Sequence, residues 1–125
     1  MRRQGPVVAV ISAGGVLGAL ARYALGVAFP HPARGFPWAT FAINVSGCLL
    51  LGALAASATA APRPVQALVG TGFCGALTTY STFGYETIRL LQDGARRFAL
   101  LNVVLSVACG LFAAWLGNWA AGAVR

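Results

Sequence analysis

The fold class predicted by this 125-residue sequence is an all-α integral membrane protein with four transmembrane helices, the third of them broken in mid-membrane. Three observations predict it. Hydrophobic residues make up 58% of the chain and charged residues only 9%, with a mean hydropathy of +0.76. A water-soluble domain carries about 25% charged residues, and nine basic and two acidic side chains cannot cover a solvated surface of this size. Second, four runs, 6–29, 36–61, 64–88 and 98–124, are apolar and long; a helix crossing a ~30 Å hydrocarbon core needs about 20 such residues. Third, the stretches between them are short and rich in breakers, so residues 1–125 form one transmembrane domain with no room for a soluble one.

Each run has its own character. In 6–29 the only charge is Arg22, and Gly14 and Gly18 make a GxxxG pair that permits close helix approach. Arg2-Arg3 precedes this run, but no small-x-small cleavage site follows and the apolar stretch continues past Arg22, so it reads as a retained span rather than a leader. Run 36–61 is uncharged, with Asn44 as a lone amide at mid-depth and Gly47 and Gly52 along it. Run 64–88 places Gly70, Gly72 and Gly75 before Thr78-Thr79-Tyr80-Ser81-Thr82, with Glu86 toward the end. Glycine-rich backbone at that depth points to a break, which survives in a membrane only where the freed groups meet protein, an ion or a cavity. The alternative is an intact helix whose hydroxyls bond back to the preceding turn. Run 98–124 carries Asn102 and Ser106 at i, i+4 and Gly110 and Ala114 at small-xxx-small spacing. The connections hold Pro30 to Gly35, Pro62-Arg63, and Arg89 to Arg97, and Trp38, Trp115 and Trp119 fall near span ends, as interfacial aromatics do.

The nine basic residues are all arginine and the net charge is +7. They are scattered beside apolar runs, which argues for membrane flanks and against nucleic acid. Cys48, Cys74 and Cys109 each lie inside an apolar run and His31 stands alone, so neither a disulfide framework nor a zinc site is expected. With four spans, Arg2, Arg3, Arg63 and Arg125 share one side and Arg34, Arg89, Arg96 and Arg97 the other. Orientation follows an arginine and lysine excess on the cytoplasmic side. A balanced count predicts either weak orientation or insertion both ways up, and in the latter case two copies can pair antiparallel as a homodimer; the other possibility is that one early charge, such as the Arg2-Arg3 pair, decides the orientation.

The polar groups suggest a track. Past the break, Thr79, Thr82 and Glu86 share a face at i, i+3, i+7, and Tyr80 and Phe83 form an aromatic pair on an adjoining one. Asn44, Asn102 and Ser106 either bond across helices or extend the track. Its groups are mainly hydrogen-bond donors, the aromatic rings present positive edges, and no carboxylate lies mid-span. Such a lining suits a small anion, whose hydration it must replace without holding the ion too tightly. Arg22 either adds a positive vestibule or snorkels to the interface. A proton-coupled small multidrug antiporter would need an acidic residue deep in the first run, where only Arg22 ionises. A non-conducting assembly subunit would use the polar groups for packing alone. No catalytic constellation is present, so no enzyme activity is expected.

These residues resemble the small bacterial fluoride channels of the Fluc/CrcB type along essentially the whole chain. The segment Gly14-Gly15-Val16-Leu17-Gly18-Ala19-Leu20-Ala21-Arg22-Tyr23 is similar to that family's GGxxGAxxRY. Thr40-Phe41-Ala42-Ile43-Asn44-Val45-Ser46-Gly47 is similar to its TxxxNxxG, and Gly72-Phe73-Cys74-Gly75-Ala76-Leu77-Thr78-Thr79-Tyr80-Ser81-Thr82-Phe83 to its GFCGGxTTFSTF. The resemblance implies passive export of fluoride across the inner cell membrane by an antiparallel, dual-topology homodimer with two pores. It also implies a structural Na⁺ held on the two-fold axis by the backbone carbonyls of Gly75 and Thr78. By the same resemblance Tyr80 and Phe83 are the pore aromatics, Asn44 the pore amide, Ser81 and Thr82 the continuing hydroxyls, and Arg22 the vestibule cation. Tyr80 stands where phenylalanine is usual, Ala76 where a glycine is common, Asn102 where a tyrosine is expected, and Gly110 where a hydroxyl is often found.

Overall fold

The computed structural model describes residues 4–30, 34–57 and 61–123, all of the elements among them helical. Arg2, Arg3, His31, Val124 and Arg125, which entered the charge count, the metal argument and the fourth run, lie outside the described residues. Helix α1 spans Gln4–Ala28 and stops short of Pro30, whose ring disfavours helical geometry in the residue before it. Helix α2 spans Trp38–Ala56 and starts directly after Pro37, where Phe36, Trp38 and Phe41 pack ring on ring at 4.5–5.8 Å. It ends five residues earlier than the run 36–61, and 58–60 lie outside the described residues.

Segment 63–77, here α3, begins with Pro64 in its first turn, where the missing N–H costs nothing. It is α-helical over Arg63–Val65, opens into wide i→i+5 turns over Gln66–Cys74, and tightens again over Gly75–Leu77. Thr78 and Thr79 then leave helical geometry (ψ 150° and 109°), and helix α4 runs from Tyr80 to Gln92. A turn with Gly94 at φ +80°, a conformation that suits a residue without Cβ, leads into α5, Arg96–Ala123. The connection expected over Arg89 to Arg97 therefore shrinks to 93–95, because both flanking helices extend into it.

Two backbone-to-backbone seams build the body. A Cβ on Gly14 would collide with the Leu68 carbonyl, one on Gly18 with the Phe73 carbonyl, and one on Gly72 would lie 2.6 Å from the Ile11 carbonyl. Thus α1 lies directly on α3. On the other side, a Cβ on Gly52 would strike the Ala114 carbonyl and one on Gly117 the Leu49 carbonyl, so α2 and α5 mesh reciprocally. Lipid offers no hydrophobic drive for helices to associate, so this closeness and its dispersion gain hold the seams together.

Apolar side chains meanwhile point outward. Val16, Leu17, Leu20 and Val27 of α1 and Leu111, Phe112, Trp115 and Trp119 of α5 are each more than half exposed. Helices α1, α2 and α5 are long and apolar enough to cross a bilayer. An all-helical body with three such helices and a greasy exterior is that of a multi-pass membrane protein.

Candidate functional site

The interruption at Thr78–Thr79 is the organising feature. A helix end frees carbonyls on one side and N–H groups on the other, and each needs a partner when away from water. Here the partners come from distant helices. Asn44 of α2 clamps Thr79: its Oδ1 accepts from the Thr79 N–H at 2.8 Å, and its Nδ2 donates to the Thr79 carbonyl at 3.3 Å. Arg22 of α1 donates from Nε to the Ala76 carbonyl at 3.0 Å, placing a cation at the negative end of α3. Thr79 caps α4, its Oγ1 accepting from the Thr82 N–H at 3.1 Å.

These bonds redirect two N–H groups. In a continuous helix the Thr79 N–H would serve the Gly75 carbonyl and the Thr82 N–H the Thr78 carbonyl. The first is instead given to Asn44 and the second to the Thr79 hydroxyl. The carbonyls of Gly75 and Thr78 are thereby left to other partners.

A cavity of about 370 Å³ opens beside the interruption, between α2, α3, α4 and α5. Asn44, Gly75, Thr78, Thr79, Tyr80, Phe83 and Ser106 all line it, together with Cys48 and Cys74. The Tyr80 and Phe83 rings lie 6.1 Å apart at 43°, and Tyr80 is 86% exposed. A second cavity, between α1, α2 and α4, is lined by Arg22, Thr40, Thr79 and Thr82. Only Thr79 is common to both, so the polar residues expected to form one track divide between two largely apolar cavities that meet at the Asn44–Thr79 clamp. Ser81 lines neither; it sits 3.3 Å from the Thr79 hydroxyl on an exposed surface.

The hydroxyls differ in what they can still offer. The Thr79 hydroxyl donates to Thr82 Oγ1 at 2.9 Å, which leaves the Thr82 hydrogen available. Thr78 donates back to the Cys74 carbonyl at 2.9 Å, the local bond that the intact-helix alternative invoked. Asn44 keeps a second N–H beyond the one on Thr79. Thr40 donates to Glu86 Oε1 at 2.5 Å, and Glu86 is buried at 8% exposure. Asn102 donates to Thr87 Oγ1 at 2.9 Å and accepts from Ser106 at 3.1 Å. Among the described residues no three His, Cys, Asp or Glu side chains converge as metal ligands.

Sequence reasoning missed three participants. Thr40 sits at i−4 to Asn44, a spacing that puts both on one face of α2 and signals a shared polar surface. Thr87 adjoins Glu86 and is reachable by the same face argument from Phe83 at i, i+4. Gly117 extends the Gly110–Ala114 spacing as Ala113–Gly117, and it, more than Gly110, carries the backbone contact.

Comparison with known proteins identifies the family. Residues 9–118 match the family described as "CrcB-like protein, Camphor Resistance (CrcB)". The fluoride-specific ion channel FluC 1 of Streptomyces avermitilis is 53% identical over 119 residues, covering 92% of this chain and 95% of that protein. The fluoride-specific ion channel FluC 2 of Rhodococcus jostii is 49% identical over 110 residues, covering 88% and 94%. The FluC of Chlorobaculum tepidum is 43% identical over 114 residues, covering 89% and 90%. With a family match over nearly the whole length and relatives this similar along it, the chain belongs to the CrcB-like family.

Proposed function

We propose that this protein is a passive, fluoride-selective channel of the cell membrane that lets fluoride leave the cytoplasm. It is a multi-pass membrane protein and not an enzyme. The observation that carries the reading is the interruption at Thr78–Thr79, clamped by Asn44 and Arg22, beside a cavity where spare donors and aromatic rings meet. Asn44, Tyr80, Phe83, Thr79 and Ser106 line the ion path there, and Thr82, with Ser81 beside it, continues it toward the Arg22 cavity. Spare N–H and O–H groups replace part of the water that a small anion loses, and ring edges add positive potential. Hydrogen fluoride is a weak acid that enters cells neutral and ionises inside. A negative-inside potential, worth about 2.3 kcal/mol per charge per 100 mV, then drives the anion out.

In this reading α3 and α4 together make a fourth span, 64–88, broken in mid-membrane. Two copies pair antiparallel, in keeping with the balanced arginine count. Supporting the pairing, two cavities share Leu51 of α2 and Gly70 of α3, and Tyr80, which lines one of them, is largely exposed. The redirected N–H groups leave the Gly75 and Thr78 carbonyls fit for a monovalent cation, and two protomers bring four such oxygens to a structural Na⁺. That ion would supply positive charge to tie the two broken helices together.

Purified protein in liposomes loaded with fluoride or chloride tests the function. Fast fluoride release with chloride retained is the expected result. Proton-dependent drug uptake would replace the reading with the antiporter, and silence with the assembly subunit. Cysteine labelling from both faces of the bilayer tests dual insertion; a single accessible face refutes it.

A further inference from the structure

Asn102 is 1% exposed, yet it hydrogen-bonds on both sides of its amide. The direction of those bonds follows from one fixed point. The Phe83 carbonyl can only accept, so the Thr87 hydroxyl, 2.8 Å away, must donate to it. Thr87 Oγ1 can then only accept from Asn102, 2.9 Å away, which puts the amide NH₂ on that side. The amide oxygen therefore faces Ser106 at 3.1 Å, and Ser106 must donate. Ser106 lines the cavity with Asn44 and Phe83, but its hydrogen is directed away from that cavity. With that hydrogen committed to Asn102, Ser106 can meet any other partner in the cavity only as an acceptor.

We infer that Asn102 is a positioning residue that fixes the polarity of Ser106, so that the serine borders the ion path as an acceptor and does not grip the anion. This rests on the fluoride-channel reading and refines it. A conducting site must bind an ion strongly enough to admit it and weakly enough to release it. One more O–H aimed at a fluoride ion would shift that balance toward trapping, because hydrogen bonds to charged groups are the strong ones. Asn102 and Thr87 hold that hydrogen back from α4 and α5 without touching the ion.

The test is fluoride efflux from liposomes as a function of fluoride concentration. Asn102→Leu keeps the side chain's bulk and removes the acceptor, which frees the Ser106 hydrogen. Thr87→Val reaches the same end by another route: the amide loses its partner and does better turning its NH₂ toward Ser106. Both variants are expected to lower the half-saturating fluoride concentration about tenfold, equivalent to about 1.4 kcal/mol, and to lower maximal efflux. Adding Ser106→Ala to either should abolish that gain in affinity. Thr87→Ser, which keeps the hydroxyl, should behave as wild type. If both variants assemble and leave the half-saturating concentration unchanged or raised, the inference is overturned; so too if the Ser106→Ala double variants keep the gain. Wild-type protein that releases no fluoride would instead remove the channel reading, a distinguishable outcome.

Discussion

Removing Asn44 should loosen the interruption and slow the ion together, and the structure sets the size of both effects. Asn44→Ala leaves the Thr79 N–H, held at 2.8 Å, and its carbonyl, held at 3.3 Å, without their partner. A polar group stripped of its partner away from water costs about 1–3 kcal/mol. The N–H bond has near-ideal length and the carbonyl contact is long, so the expected loss is about 2–4 kcal/mol, close to the tail of single-substitution effects. Asn44→Asp separates charge from clamp. Its carboxylate still accepts from the Thr79 N–H, but has no hydrogen for the carbonyl and adds a negative charge to the cavity. At ~5 Å and an effective dielectric of ~20, that charge repels an anion by about 3 kcal/mol, or more than about a hundredfold in occupancy. The unfolding midpoint in detergent reports the clamp, and fluoride-electrode efflux from liposomes reports the path. Wild type should exceed Ala, and Ala should exceed Asp, in flux. An Asp variant conducting as well as the Ala variant, or an Ala variant with wild-type stability and flux, would refute the argument.

Other substitutions probe the remaining supports. Gly18→Leu drives a side chain into the Phe73 carbonyl, and should separate α1 from α3 at a cost of about 1–3 kcal/mol or more, read as a lower midpoint of denaturation. Thr79→Val removes the α4 cap and should cost about 1 kcal/mol, whereas Thr79→Ser should cost little; equal midpoints for the two would remove the capping role. Arg22→Gln deprives the Ala76 carbonyl of its charged donor and should lower both stability and maximal flux, with the stability loss persisting at high salt because the contact is half-buried. A flux loss that high fluoride alone restores, with stability intact, would instead make Arg22 purely an attractor of anions.

Much of the arrangement was legible from residue order. The apolar runs gave the helices, since burying or solvating so much hydrocarbon admits few solutions and a helix satisfies its own backbone in lipid. Gly70 and Gly72 lie within the wide turns of Gln66–Cys74, and the extended residues Thr78 and Thr79 follow Gly75 by three and four positions. Asn44, Tyr80, Phe83 and Ser106 were named from spacing and from family likeness, and they do share a cavity. Other features were not legible. Periodicity places a residue on a face but does not say which helix that face meets. Arg22 and Ala76 are 54 positions apart, so only packing decides that the arginine meets the carbonyl at the end of α3. Nor does a sequence say which way a hydroxyl points. Whether Ser106 gives or receives a hydrogen follows from a chain of bonds that ends on one carbonyl, at Phe83. Composition and run length determined that this chain is a helical, multi-pass membrane protein. Tertiary contact decided how the polar groups are divided between two cavities and which of them keep a hydrogen to offer, because hydrogen-bond direction is fixed by partners that only folding brings within reach.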